Sequence, residues 1–166
     1  MDISSATKDT QDWRDLAPLE GWCKVIDMYD GDTCWVAIDL NNYRYNPSNP
    51  ANKLWLTNAK IRKVNVRIAR INAPEIKGGT DESKAAARAS RDFARSLLLG
   101  KIVKFRFGNF GLIKGESLDS FHRQIGELDI PSYLMQKETS GIVGGAEFIN
   151  FSDLMLTSGH ASLFSK

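Results

Sequence analysis

The chain has little of what a zinc, disulfide or membrane protein is built from. Its 166 residues include two cysteines and two histidines. No Cys-x-x-Cys or His-x-x-x-His spacing accompanies Cys23 and Cys34, so both are expected to be reduced core residues rather than zinc ligands. His122 and His160 are expected to be structural, although His122 stands beside Arg123 and would lie near any substrate bound there. No stretch is apolar enough to span a bilayer, and neither end has a signal-peptide pattern. An intracellular protein without a membrane partner is therefore expected. There is also no internal repeat and no low-complexity run. At 42% hydrophobic residues, the chain can bury a sizeable core as one globular domain over residues 21–166, preceded by a polar, acidic arm over residues 1–20.

The net charge of +2 is small, but it conceals an asymmetry. Between Lys60 and Arg106 there are 13 basic residues against four acidic ones, a local balance of +9, while both ends of the chain are acidic. A basic band inside acidic flanks suits a nucleic-acid groove better than a uniformly basic coat does.

Two segments carry the chemistry. The first is Asp30-Gly31-Asp32-Thr33, set between the β-prone runs Cys23–Tyr29 and Cys34–Leu40, whose spacing predicts an antiparallel hairpin with Gly31 in the turn. Asp27, Asp30 and Asp32 crowd that tip without an adjacent base. Either they are simply solvated, or a hard divalent cation screens them. The second segment runs from Val64 to Glu75. Val64, Val66 and Ile68 share one face of a strand, and Asn65 and Arg67 share the other. Pro74 then stops the ladder, leaving Asn72, Ala73 and Glu75 displayed from a turn at a strand end, where sites are commonly built.

In this order, with Asp119-Ser120-Phe121-His122-Arg123 and the closing Asn150–Ala161 stretch, these segments resemble the staphylococcal nuclease (thermonuclease) family. The resemblance covers most of Trp22 to Leu163. It implies an α+β, mainly β, five-stranded OB-fold barrel with two or more flanking helices. It also implies hydrolysis of phosphodiester bonds in DNA and/or RNA with Ca2+, or with Mg2+ or Mn2+. By position, Asp32 would ligate the metal, Glu75 would position or deprotonate the attacking water, and Arg67 and Arg123 would clamp phosphate. Asn72 and the backbone carbonyl of Ala73 would complete the metal set. Asn72 stands where the family has an aspartate, so the site should hold metal more weakly. Lys84 and Phe121 would bind substrate, Phe121 by stacking on a base. No obligate protein partner is implied.

Elsewhere along the chain, Asp81–Leu99 predicts a helix with Thr80 or Asp81 as N-cap and Gly100 just past its end. Its core stripe is expected at Ala86, Ala89, Phe93 and Leu97, with Lys84, Arg88, Arg91 and Arg95 on a solvated or phosphate-facing side. Ile102–Phe107 alternates as a strand. Residues 41–60 form an insertion, either near the substrate or simply on the surface, and residues 129–147 are expected to be a mobile loop. The family's usual final helix is missing or replaced by Ser162–Lys166. Two other function classes remain open: a non-catalytic OB-fold that binds single-stranded nucleic acid, and a protein-interaction module built on the two insertions.

Overall fold

Alternation of buried and half-exposed residues along β3 (Ile61–Ile68) and β5 (Ile102–Phe107) is the pattern of strands with one face on a core. A computed structural model describes residues 3–8, 19–39, 61–107, 123–135 and 147–164. In chain order the elements are β1 (Leu19–Met28), β2 (Thr33–Asp39), β3, β4 (Ile71–Asn72), α1 (Asp81–Leu98), β5, β6 (Gln124–Pro131), β7 (Phe148–Asn150), α2 (Phe151–Thr157) and β8 (Ser162–Leu163). The sheet order is β3-β2-β1-β5-β6, and β6 returns to pair with β3. That last pairing is parallel, joining Val66 to Gln124 and Ile68 to Gly126; the other barrel pairings are antiparallel. The result is the expected closed five-stranded mixed barrel of OB-fold type with two helices, which leaves no unpaired edge between its first and last strands. β7 extends β6 outside the ring, and β8 pairs with β4.

Inside the barrel, Val25, Val36, Ile38, Val64, Val66, Val103, Phe105 and Leu128 are buried, with Met155 and Phe151 of α2 closing one end. Truncating a side chain such as Phe105 would cost about 3–5 kcal/mol. Cys23 and Cys34 are buried and unbridged. Burial pushes both thiols well above their ordinary range, which suits inert core groups.

β1 slips register between Val25 and Asp27. This bulge flips the phase of the strand, so Cys23 and Val25 point inward before it and Met28 points inward after it. Bulges sharpen local twist and re-aim the residues beyond them, which here form the acidic hairpin tip. β1 also begins at Leu19, two residues before the domain boundary expected from sequence. Residues 3–8 lie against the barrel, with Ala6 buried and the Lys24 ammonium donating to the carbonyls of Ser4 and Ala6.

Three expectations are corrected. The buried stripe of α1 is Ala87, Ser90, Ala94, Leu97 and Leu98, whereas Ala86 and Ala89 are exposed. The helix is rotated by about one residue from the expected phase, because small residues meet the hairpin tip: a Cβ on Gly31 would lie 2.1 Å from Ser90 Oγ and 2.7 Å from Ala73 Cβ. Gly31 is needed for this close approach rather than for a left-handed turn. The second correction concerns residues 129–147. Asp129 to Pro131 belong to β6, and a 3-10 turn comes next at Ser132–Leu134; Asp129 pairs with both Lys104 and Asn150, which holds it in the sheet. Residues 136–146, like the insertion at 41–60, lie outside the described residues. The third is that Arg95 does not belong to a free charged face. Its Nε and Nη2 donate to the Met28 carbonyl at 3.2 and 3.0 Å, pinning the end of β1 to α1.

The ends of α1 are where the sequence puts them. Thr80 caps α1 by accepting from Ser83 N–H, and Gly100 lies just beyond it in the left-handed region at φ 77°. Asn150 caps α2 by accepting from Asp153 N–H, and Gly159 lies just beyond that helix at φ 76°. His160 stacks on Phe93 at 4.1 Å between ring centroids, consistent with a structural role. No helix among the described residues is long and apolar enough to cross a membrane.

Candidate functional site

The hairpin tip, the end of β3, the turn after β4 and the start of β6 meet around one cavity of about 960 Å³. Asp32, Arg67, Asn72, Ala73, Glu75 and Arg123 all line it. Six of the eight site residues expected from sequence are thus brought together. Lys84 is not among the lining residues; it sits half-buried in the first turn of α1. Phe121 lies outside the described residues.

Each side chain arrives by a local rule. Thr33 opposes Arg67 across the β2–β3 ladder, and the two-residue period that puts Val66 and Ile68 in the core sends Arg67 outward. The Asp32 carbonyl accepts from Ile68 N–H at 2.8 Å, which fixes the tip to the end of β3. Pro74 ends regular pairing, and the chain leaves β4 with Ala73 N–H donating to Asp32 Oδ2 at 2.7 Å.

The polar contacts form one connected set. Arg67 Nη2 donates to Asn72 Oδ1 at 2.6 Å and lies 3.4 Å from Asp32 Oδ2; Arg67 Nη1 donates to the Ile68 carbonyl at 2.8 Å. Thr33 Oγ1 donates to Asp32 Oδ1 at 3.0 Å and accepts from Arg123 Nη1 at 3.1 Å. Thr33 therefore links the second arginine to the same carboxylate that the first one flanks. A guanidinium has five N–H donors, so Arg67 keeps donors beyond these contacts.

The sequence left open whether Asp30 is merely solvated or screened by a cation. It lines the cavity and accepts from Asp32 N–H at 3.1 Å. Burial and the adjacent Asp32 carboxylate push its carboxyl up to about 6, because two like charges in a partly desolvated site resist joint ionisation. Among the described residues no group of three or more His, Cys, Asp or Glu side chains is placed to hold a metal ion. The donor set present is smaller, consisting of the adjacent carboxylates of Asp30 and Asp32 with the Asn72 amide nearby. Oxygen donors of this kind fit a hard divalent cation that keeps several waters.

Other lining residues were not expected from sequence. Trp35 and Asn65 lie one step along β2 and β3 from Thr33 and Arg67, on the same outer face. Their alternation was legible, but what they faced was not. Lys77 lines the cavity where Lys84 had been expected. Phe164 arrives from the far end of the chain: its N–H donates to the Arg70 carbonyl at 2.7 Å, and its ring centroid lies 5.9 Å from Arg67 Cζ. Nothing local announces that contact, since it depends on β8 pairing with β4.

No family model matches this chain, and no curated protein does.

Proposed function

We propose that the cavity is the phosphodiester site of a metal-assisted nuclease of the thermonuclease kind, acting on DNA and/or RNA. The observation that carries this reading is the convergence of Arg67, near the end of β3, and Arg123, just before β6, on one pocket that also holds Asp32 and Glu75. A phosphodiester repels nucleophiles by its own charge. Cleavage needs donors that tighten as charge grows on the phosphorane oxygens, an oriented water and a base for its proton. Arg67 and Arg123 serve as the forks. Glu75, exposed at the mouth of the cavity, orients the water and takes its proton. Asn72 and Asp32 hold Arg67 in place. Asp30 and Asp32 would hold a divalent cation, which would supply electrostatic stabilisation of the phosphate oxygens.

A second reading, a non-catalytic module that binds single-stranded nucleic acid, draws on one observation: Asn72 is neutral and its amide oxygen is engaged by Arg67. The two readings part in one assay. The protein is incubated with single- and double-stranded DNA and with RNA, in Ca2+, Mg2+, Mn2+ or EDTA. Cleavage that EDTA abolishes and that Glu75→Gln loses is the expected result. Binding without cleavage in every metal would overturn the enzyme and leave the binder.

A further inference from the structure

We propose that residues 3–8 are an autoinhibitory strap: they already occupy the outer face of β1, β2 and β3, and a nucleic-acid strand long enough to run along that face from the arginines must displace them. This inference rests on the nucleic-acid reading above and adds a form of regulation to it.

The outer face is built in cross-strand rows. Thr33 and Arg67 form the first and Trp35 and Asn65 the second; Lys24, Ala37 and Lys63 form the third, because Ala37 pairs with both lysines. Successive same-face rows lie about 7 Å apart, so the third row is about 14 Å from Arg67. The strap crosses this third row. Lys24 Nζ donates to the Ser4 and Ala6 carbonyls at 2.7 and 2.9 Å, and Lys63 Nζ donates to the Lys8 carbonyl at 3.0 Å. The segment is thus held at β1 and at β3 and passes over β2 between them, with residues 3–5 packed on both β1 and β2. Ala37 faces outward at this point yet is fully buried, and Ala6 is 4% exposed.

This contact is built to be exchanged. Both ammoniums meet neutral carbonyls, whereas a phosphate oxygen brings a full negative charge to the same donors. Barrels of this type take oligonucleotides on the face of their second and third strands, so phosphates and strap compete for one surface. The strap is also lightly held by packing. Of its six described residues only Ala6 is buried, which leaves little apolar area to offset the entropy of ordering the segment. Finally, its anchor at β3 touches the site. The Lys63 ammonium lies 4.8 Å from the centre of the Trp35 ring, and Trp35 lines the cavity with Arg67 and Arg123.

The test uses the whole chain in EDTA, where cleavage is blocked. Lys8→Cys carries a fluorescent dye at an exposed position on the strap; Cys23 and Cys34 are buried and stay unlabelled. Oligo(dT) of about 12 nucleotides, within the site size of an OB-fold, should lower the anisotropy of the dye as the strap comes free, although the complex is larger than the free protein. A thymidine dinucleotide should leave it unchanged. Ala6→Gln puts a longer polar side chain into the buried seat and should release the strap without any ligand. It should then tighten oligo(dT) binding about tenfold, because apparent affinity scales with the fraction of molecules whose face is open, and leave dinucleotide affinity unchanged. Thermal melting checks that the barrel stays folded. If Ala6→Gln does not free the strap, the oligo(dT) titration decides alone. Oligo(dT) that binds while the dye stays immobilised, or a released strap with no gain in affinity, overturns the autoinhibition and makes the segment a structural clasp, while the nuclease reading stands on its cleavage assay. If the wild type binds no oligonucleotide at all, both fall together.

Discussion

Arg67 and Arg70 are three residues apart, yet they serve opposite ends of the same turn. Arg67 points into the cavity, where Asp32 and Asn72 flank it and donors remain for a ligand. Arg70 adopts φ 71°, uncommon for a residue with a side chain, and turns the other way. It donates to the buried Glu127 through Nε, and through Nη2 to Asn150 Oδ1 at 2.8 Å and Asp153 Oδ1 at 3.1 Å. Glu127 is further satisfied by Asn150 Nδ2 at 2.9 Å and Ser152 Oγ at 3.1 Å. Asn150 Nδ2 also reaches Asp129, which in turn accepts from Arg106. The same residue types thus make two different objects. The Arg70 network ties the β3–β4 turn to β6 and α2; the Arg67 network, although the more buried of the two, faces a cavity with room for a ligand. A charge pair signals function when it faces a cavity that a ligand can enter, not when it is merely present.

The sharpest way to break this comparison is to truncate the cavity arginines. Arg67→Ala and Arg123→Ala should each lower the cleavage rate by about 10²–10³, the size of a lost transition-state donor, about 3–4 kcal/mol, with little change in melting temperature. Single-turnover rates and thermal melts check both halves. Arg70→Ala should do the reverse. It strips the charge partner from a buried carboxylate and should cost about 2–3 kcal/mol of stability by urea denaturation. If Arg67→Ala and Arg70→Ala lose stability and activity in the same proportion, the division between working and structural networks is wrong.

A smaller effect concerns Asp30, whose folded-state value of about 6 lies above its ordinary 3.8. Between about pH 4 and 6 the folded protein keeps a proton that the unfolded chain has released, so this group makes stability fall as pH rises through that window. By pH 7 the full cost is present. Asp30→Asn should flatten that slope and raise stability at pH 7 by about 1–2 kcal/mol, after allowance for solvent screening at this half-buried site. Calcium should stabilise the wild type at pH 7 and stabilise Asp30→Asn less, because an amide oxygen ligates a hard cation without supplying charge. Melts across pH 4–8 with and without Ca2+ read both.

The smallest effect belongs to the charged face of α1, which lies outside the cavity. Lys84→Ala and Arg91→Ala should weaken nucleic-acid binding only modestly, each reducing the salt slope by about one at most. Losses there equal to those at Arg67 and Arg123 would mean that the basic band acts as a diffuse surface with no privileged pocket.

Much of this was legible without coordinates. Strand period 2 set which face of β3 and β5 is buried, and side-chain chemistry set the cap at Thr80 and the stop at Gly100, because these depend on neighbours within a few residues. The order of Asp32, Arg67, Glu75 and Arg123 along the chain likewise announced which residues to watch. Tertiary structure decided the rest. The phase of α1 was set by Gly31 meeting Ser90, an approach that no helical periodicity encodes. The capture of Arg95 by the Met28 carbonyl depends on α1 packing on β1, the contacts of Arg70 on β6 and α2 reaching the β3–β4 turn, and the arrival of Phe164 beside Arg67 on β8 pairing with β4. Local sequence determines which conformations and faces are favourable. Which side chains share a cavity is settled only when strands distant in the chain are brought into register.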